Sequence, residues 1–214
     1  MSSSREELVK PLLVGRTSSH FTRVTRIFAA EMRVDYSFRV APDLMSLDSS
    51  DYGGNPALRL PTLRTLKGAW FGALNICREL SRQSIAQTRV VWPEDLDRPL
   101  LANAQELVLQ AMSTEVALIM AGIAGQDLSG KQELKMRTSL VGSLRWLEES
   151  APEALAALPE GRDISYLEVT LFCLVTHLEF REVLASEGYP ELNAFCQRFA
   201  ARASAQTTPY RFDV

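Results

Sequence analysis

The chain has 214 residues, of which 46% are hydrophobic and 23% are charged, and its formal net charge is -3. This length and composition are typical of an ordinary globular protein with one or two domains and a core of useful size. The Lys and Arg residues are scattered without forming a basic stripe, which argues against nucleic acid as a partner.

The cysteines and the apolar runs indicate in which cellular compartment the protein is expected. Cys77, Cys173 and Cys196 are far apart and odd in number, as expected of reduced, buried thiols in a reducing compartment. The N-terminal segment has no apolar run, so we expect no signal peptide. The best membrane candidate, residues 116–124, is too short to span a bilayer. We therefore expect a cytoplasmic protein without a membrane partner.

The first part of the chain alternates strand and helix patterns. Residues 12–14 form a short apolar run typical of a buried strand, and apolar residues then recur at helical spacing over residues 21–32. An alternating segment at residues 36–40 predicts a second strand. The polar residues 41–56 predict a loop with one weak helical turn.

Two further strands, at residues 62–66 and 69–71, flank a predicted hairpin turn, and a helix follows at residues 74–80. The order is therefore strand, helix, strand, loop, strand, strand, helix. This is the order of a thioredoxin-like α/β domain, which we assign to residues 1–84.

The alternation of strand and helix patterns ends after residue 84. Residues 85–99 contain two prolines and no sustained period, so they are predicted to be a linker. Over residues 100–214 apolar residues recur at helical spacing, which predicts an all-helical domain. Its third helix, at about residues 166–180, is apolar nearly all round and is expected in the middle of a bundle. Ser165 and Glu168 form a predicted capping box at its start.

Residues 55–63, Asn-Pro-Ala-Leu-Arg-Leu-Pro-Thr-Leu, match the pattern Asn-Pro-x-x-x-(Val/Leu)-Pro-x-Leu. This pattern resembles the entry to the third strand in the glutathione transferase family. The resemblance extends over residues 12–209, and it includes the capping box and the segment 189–202, which is similar to that family's terminal helix. It implies a thioredoxin-like N-terminal domain, a C-terminal helical bundle and pairing as a homodimer.

The resemblance also implies a cis peptide bond before Pro61. Such a bond would turn the backbone N–H and C=O of Leu60 outward, where they could pair with the cysteinyl unit of an extended tripeptide. An ordinary trans proline in a loop is the alternative.

Hydroxyl side chains cluster in residues 15–20, between the first strand and the first helix. A hydroxyl donor beside a helix N-terminus favours a thiolate, because unpaired N–H groups concentrate positive potential there. Alignment with the family's Ser-Pro-Phe-x-Arg-Lys-Val-Arg-Ile pattern puts Ser19 at the catalytic serine or cysteine position, with Ser18 as the alternative. A serine at a helix start also serves as an N-cap in any protein. His20 replaces the family's proline and is either a base or an exposed bystander.

The sequence departs from the family where the γ-glutamyl end of glutathione binds. Gly72 and Ala73 replace the Glu/Asp-Ser pair that holds this end. Each hydrogen bond lost to a charged ligand group costs roughly 1.5–3 kcal/mol, and two losses lower affinity on the order of a hundredfold to ten-thousandfold. The remaining N–H of Ala73, the Asn75 amide (expected on the inner face), or the Arg16 or Arg59 side chain could compensate.

The resemblance implies a serine-type glutathione transferase that conjugates the glutathione thiolate to a small electrophile, as in detoxification. Glutathione would be a substrate, and no metal is expected because His20 and His177, the only histidines, lie in different predicted domains. The changes at Gly72 and Ala73 leave two alternatives. One is a non-catalytic binding or assembly module of the same fold, and the other is a protein whose thiol ligand is not glutathione.

Overall fold

The computed structural model of the chain describes residues 10–125, 130–184 and 188–213. The chain divides into two compact units, one comprising Met1–Thr88 with Arg202–Val214 and the other Arg89–Ala201. The first unit is mixed α/β and the second is almost entirely helical. This is the combination of fold classes that the sequence predicts.

The N-terminal part of the first unit is a four-stranded sheet with one helix between its first two strands and another after its last strand. Its elements are β1 (Leu12–Gly15), α1 (His20–Glu31), β2 (Ser37–Val40), β3 (Thr62–Thr65), β4 (Gly68–Phe71) and α2 (Ala73–Gln83). The sheet has the order β2-β1-β3-β4, with β1 parallel to β2 and the other two pairs antiparallel. The predicted thioredoxin-like order of elements is confirmed.

Burial within this unit follows the periodicity of the sequence. Leu13 and Val14 of the central strand β1 are buried. Val24, Ile27 and Phe28 recur three and four positions apart on α1 and are fully buried, which is the pattern of a helix with one apolar face. Helix α1 packs against α2. The core of this unit therefore includes the central strand β1 and one face of α1.

The long loop before β3 is anchored by a tyrosine. It contains the predicted single helical turn, a 3₁₀ turn at Ser49–Tyr52, and Asp48 caps this turn by accepting from the N–H of Ser50 at 2.8 Å. Tyr52 is buried, and its hydroxyl donates to the carbonyl of Leu44 at 2.8 Å. The loop is therefore a fixed surface element next to the sheet.

The second unit is a helical bundle. Its elements are β5 (Val90–Val91), α3 (Pro99–Ile123), α4 (Lys131–Ala156), β6 (Ile164–Ser165), α5 (Tyr166–Phe180) and α6 (Pro190–Ala200). Helix α5 packs against both α3 and α6, and most of its side chains are buried, as expected of the central helix of a bundle.

The start of α5 differs in one respect from the predicted capping box. The hydroxyl of Ser165 accepts from the N–H of Glu168 at 3.0 Å, as predicted. The Glu168 carboxylate accepts from that same hydroxyl at 2.7 Å and from the guanidinium of Arg162 at 3.0 and 3.1 Å. It was predicted to bind the backbone N–H of Ser165. A nearby arginine offers a charged, two-pronged donor, which is the stronger partner for a carboxylate.

Helix α3 is longer than the apolar run predicted from the sequence. Its 25 residues, with a mean hydropathy of 1.4 over the most apolar window, are long and apolar enough to cross a membrane. Core helices of bundles meet the same description. Helix α3 packs against α4 and α5 and carries polar groups inward, since Gln105 donates to the hydroxyl of Thr170 at 3.1 Å.

The division into units differs from the predicted boundaries at 84, 99 and 214. Part of the predicted linker belongs to the second unit, because β5 pairs with β6 and the N–H of Arg89 donates to Asp163 at 2.7 Å. A strand of two residues is too short to give a periodic signal. The C-terminal segment, which contains α7 (Ala203–Gln206), belongs to the first unit and was wrongly grouped with the helical domain.

Candidate functional site

The loop between β1 and α1 is compressed against the helix that follows it. A Cβ atom at Gly15 would lie 2.5 Å from Cγ2 and 2.7 Å from Oγ1 of Thr22, so glycine is needed for this close approach. The N–H of Arg16 donates to the hydroxyl of Thr22 at 3.4 Å, and the N–H of Ser19 donates to the carbonyl of Arg16 at 3.1 Å. The loop is thus a tight turn that presents the hydroxyls of residues 17–19 at the tip of α1.

Ser19 is the N-cap of α1. Its hydroxyl oxygen accepts from the N–H of Thr22 at 3.3 Å, and its side chain is partly exposed. Capping uses an acceptor lone pair and leaves the hydroxyl proton for a further partner. The two roles that the sequence left open for Ser19, helix cap and thiolate donor, are therefore chemically compatible.

The neighbours of Ser19 have different surroundings. Ser18 is partly buried within the turn. His20, the first residue of α1, is 0% exposed, and its ring meets that of Phe21 edge-on with centroids 4.6 Å apart. The expectation of an exposed histidine at this helix start is wrong, because the side chain is fully buried.

The segment before β3 lies beside the end of β1. The Leu60–Pro61 peptide bond is cis, as the resemblance implies. Thr62, the next residue, pairs with Val14 of β1, which places this segment beside the strand end that leads into Ser19's loop. Within the described residues no hydrogen bond reaches the N–H or C=O of Leu60. These main-chain groups are therefore available to an extended ligand.

A buried asparagine holds the chain that leads to Leu60. Asn55 is 5% exposed. Its amide donates to the carbonyl of Arg59 at 2.8 Å, and its side-chain oxygen accepts from the N–H of Ala57 at 3.0 Å. Both ends of this amide bind the backbone of the same short loop, which explains why the sequence pattern begins with Asn.

The start of α2 carries main-chain donors without a side-chain cap. Gly72 precedes the helix with φ of +81° and is exposed, and no side chain caps the helix. Ala73 is buried. Asn75 was predicted to point inward, but it is exposed and its amide donates to the carbonyl of Phe71 at 3.2 Å. The Asn75 amide binds a carbonyl just before the helix, so its hydrogen bond is made at the surface and not in the core.

Arg16 is held by three groups of its own unit. Its Nη1 donates to the carbonyls of Ala41 and Pro42 at 2.8 and 3.3 Å. Its Nε lies 3.4 Å from the Asp213 carboxylate near the end of the chain. Arg59 is exposed. Arg16 and Arg59 were both candidates for binding a ligand carboxylate. Arg16 is already paired with the carboxylate of Asp213.

Solved structures share this architecture. A glutathione transferase family member from Pseudomonas fluorescens Pf-5 with bound glutathione is 19% identical, has a TM-score of 0.74, and covers 94% of this chain and 100% of its own. The chain has the glutathione transferase fold. A glutathione S-transferase from Methylobacillus flagellatus KT with GSH bound is 20% identical over the same shares, with a TM-score of 0.72. The Tau class glutathione S-transferase of mango, Mangifera indica, is 17% identical with a TM-score of 0.66, and covers 94% of this chain and 93% of its own.

These likenesses concern the fold, since all three identities are below 25%. No protein-family model matches the sequence, and no curated protein sequence matches it. Within the glutathione transferase fold, the candidate residues fall into two groups. The first group lies at the paired strands β1 and β3, with Ser18 and Ser19 after β1 and with Leu60 and Pro61 before β3. The second group, Gly72 and Ala73, lies where β4 turns into α2.

One set of contacts in the glutathione transferase fold of this chain has no counterpart in the sequence prediction. Thr17, a member of the hydroxyl cluster, binds Asp213, which is 196 positions away. No local pattern could have linked the two residues, because neither periodicity nor a motif extends across that separation. The prediction that the chain holds no metal stays a prediction.

Proposed function

We propose that the chain is a serine-type glutathione transferase that joins the thiolate of glutathione to a small electrophile. The observation that carries the proposal is the position of Ser19. It caps α1 after β1, the central strand of a glutathione transferase fold, and has a hydroxyl proton to donate. Leu60, whose main-chain N–H and C=O are both available, lies just before β3, the strand that pairs with β1.

In this proposal Ser19 stabilises the anion. A free thiol titrates near pH 8.5, so only a few per cent is thiolate at neutral pH. The Ser19 hydroxyl would donate to the sulfur, and the N–H groups at the tip of α1 would add positive potential. The thiolate then forms a carbon–sulfur bond with the electrophile, whose leaving group departs with the electron pair of the broken bond. Ser18 is the alternative donor in the same turn.

The remaining roles fall to main-chain groups. The N–H and C=O of Leu60, next to Pro61, would pair with the cysteinyl unit as an added strand does. The N–H groups at Gly72, Ala73 and the next residue of α2 would meet the γ-glutamyl carboxylate. Arg16 is the proposed cationic side chain for a ligand carboxylate, in competition with Asp213, which already pairs with it. Because the γ-glutamyl end has lost its usual side-chain partners, binding is expected to be weak.

Calorimetric titration with glutathione and an aryl-halide conjugation assay test this proposal together. The unsubstituted chain should bind glutathione and conjugate it, and Ser19→Ala should bind with similar affinity but conjugate far more slowly. Ser18→Ala is the matched control in the same turn. Activity that survives Ser19→Ala and is lost in Ser18→Ala would move the donor role to Ser18.

A second function is favoured by one observation, the absence of a side-chain cap at the start of α2. This is the non-catalytic binding or assembly module of the same fold. Glutathione binding weaker than millimolar with no conjugation would support the module and contradict the transferase. For either function we propose a cytoplasmic homodimer, and for the transferase a role in detoxification, which size measurements and localisation of the tagged chain would check.

A further inference from the structure

The C-terminal segment of the described chain, residues 202–213, follows helix α1 from its end to its beginning. We call this segment the C-terminal strap. At the C-terminal end of α1, the Glu31 carboxylate accepts from the Arg202 guanidinium at 2.9 and 3.1 Å. The hydroxyl of Ser204 donates to the same carboxylate at 2.6 Å. A two-pronged arginine and a hydroxyl make this a firm attachment.

The middle of the strap is fastened by Arg23, a buried residue of α1. Its Nη2 donates to the carbonyl of Ala205 at 3.4 Å. Its guanidinium lies over the ring of Tyr210, 4.3 Å from the ring centroid, in a cation–π arrangement. The strap is therefore held on α1 by two sets of contacts, at Glu31 and at Arg23. A third set holds its end at the candidate site.

The strap ends on the β1–α1 loop. The carboxylate of Asp213 accepts from the N–H of Thr17 at 2.9 and 3.2 Å and from the Thr17 hydroxyl at 2.6 Å. It also forms an ion pair with Nε of Arg16 at 3.4 Å. The Asp213 side chain is only 6% exposed. The Thr17 hydroxyl also lies 2.9 Å from the Arg211 carbonyl, but it has one proton, and the shorter distance and the charge favour the carboxylate.

Two donors and a guanidinium around one carboxylate are the groups that a protein uses to bind a carboxylate ligand. We propose that Arg16 and Thr17 form a carboxylate-binding site whose resident ligand is the chain's own Asp213, so that the C-terminal strap inhibits the binding of outside carboxylates at this loop. The charge of Asp213 also offsets that of Arg16. With the strap in place, the loop beside Ser19 is therefore less favourable to an anion than the sequence alone suggests.

The inference rests on the proposed function only for the identity of the outside ligand, a carboxylate-bearing thiol. The loop can be probed without glutathione. In a Ser19→Cys variant, the introduced thiol reports on the loop through its alkylation rate, because the three native cysteines are buried. Iodoacetate carries a carboxylate, whereas iodoacetamide is neutral and otherwise similar.

The experiment compares both reagents in Ser19→Cys with and without Asp213→Ala. Removal of the resident carboxylate should raise the iodoacetate rate by about tenfold, as for one hydrogen bond to a charged group, and should raise the iodoacetamide rate less. Asp35→Ala is the charge-matched control, since Asp35 is exposed and pairs only with Lys10 among the contacts described for it. It should leave both rates unchanged.

An iodoacetate rate that does not increase would overturn the inference. Equal increases with both reagents would also overturn it, because they indicate a cover without a carboxylate site. Ser18→Cys serves as a second reporter if Ser19→Cys does not fold. Calorimetry on Asp213→Ala with Ser19 intact separates the two proposals. If neither this variant nor the unsubstituted chain binds glutathione, the proposed function fails, and the alkylation rates alone decide the inference.

Discussion

At the β1–α1 loop the chain offers hydroxyl side chains at three consecutive positions, residues 17–19, whereas at the start of α2 it offers Gly72 and Ala73, which have no polar side chain. In the proposed transferase, residues 17–19 would face the thiol of glutathione and would therefore set the rate of conjugation. Gly72 and Ala73 would face the γ-glutamyl end and would therefore set the affinity. We therefore expect a transferase that binds glutathione weakly.

Removal of the Ser19 hydroxyl should have the largest effect. Ser19→Ala should lower kcat/KM for glutathione conjugation by about 10²–10³-fold, the usual effect of losing one donor to a developing or stabilised anion. The glutathione dissociation constant should change little, because the main-chain contacts remain. Steady-state kinetics and calorimetry check both expectations. A loss confined to affinity would show that Ser19 binds the ligand without acting on the thiolate.

The close packing of the same loop predicts a large effect on stability. Gly15→Ala would place a methyl group 2.5 Å from the buried Thr22 side chain, so the turn or the helix must shift. Overpacking of this kind costs about 1–3 kcal/mol of unfolding free energy. Urea denaturation measures it.

Gly142→Ala is the matched control for that substitution. A Cβ at exposed Gly142, inside α4, would meet nothing within 4 Å. Alanine there should stabilise the chain by about 0.5–1 kcal/mol through helix propensity. If Gly15→Ala were as harmless as the control, the loop would not be as tightly built as the contacts indicate.

A hydroxyl at the start of α2 should restore part of the affinity for the γ-glutamyl end of glutathione. Ala73→Ser returns a hydroxyl to the start of α2 and should strengthen glutathione binding by about tenfold, the effect of one hydrogen bond to a charged group. Gly72→Glu should not add to this, because φ of +81° is a conformation that side-chain-bearing residues rarely adopt. Calorimetry on the two single variants and the double variant measures their glutathione affinities and so tests both expectations. An unchanged affinity in Ala73→Ser would mean that the γ-glutamyl end binds elsewhere.

The smallest expected effect is on the free energy of unfolding, and it concerns Glu79 of α2. Burial alone raises the pKa of the Glu79 carboxyl, but hydrogen bonds from Gln83 and Arg82 and the charge of Lys67 outweigh it and hold that pKa below its usual value. A lowered folded-state pKa adds stability above the unfolded-state pKa of about 4.3, and the gain is lost as the pH falls through the folded-state pKa. Glu79→Gln should therefore be modestly less stable at pH 7 and lose this deficit below about pH 4.

Urea denaturation of Glu79→Gln and the unsubstituted chain at both pH values checks this expectation. A deficit that persists unchanged in acid would show that the carboxylate's charge contributes nothing and that only its shape matters.

The parts of the fold that were predictable are those with a local signal. The apolar spacing on α1 and α5, the strand β2 and the Ser165 cap each depend on residues a few positions apart, and each of these is found in the structure. The parts that were missed depend on distant partners. The strand β5 forms only through pairing with β6. Residues 202–213 join α1 through Glu31 and Arg23, and they join the β1–α1 loop through Thr17.

The candidate site also has parts with a local sequence signal and parts that depend on distant partners. The turn containing Ser19 and the segment at Leu60 and Pro61 were predictable because their residue types lie in short motifs. The burial of His20 and the outward position of Asn75 were not, since the direction of a side chain at a helix start depends on how the helix packs. The contact of Asp213 with the site had no sequence signal of any kind.

The absorbance of the thiolate in the complex with glutathione shows whether Ser19 at the tip of α1 stabilises that anion. The titration of bound glutathione should be followed against pH in the unsubstituted chain and in Ser19→Ala, at saturating ligand. We expect the pKa of the bound thiol to lie below the free value of about 8.5 in the unsubstituted chain and closer to that value in Ser19→Ala. Equal pKa values of the bound thiol in the two proteins would show that Ser19 does not stabilise the thiolate.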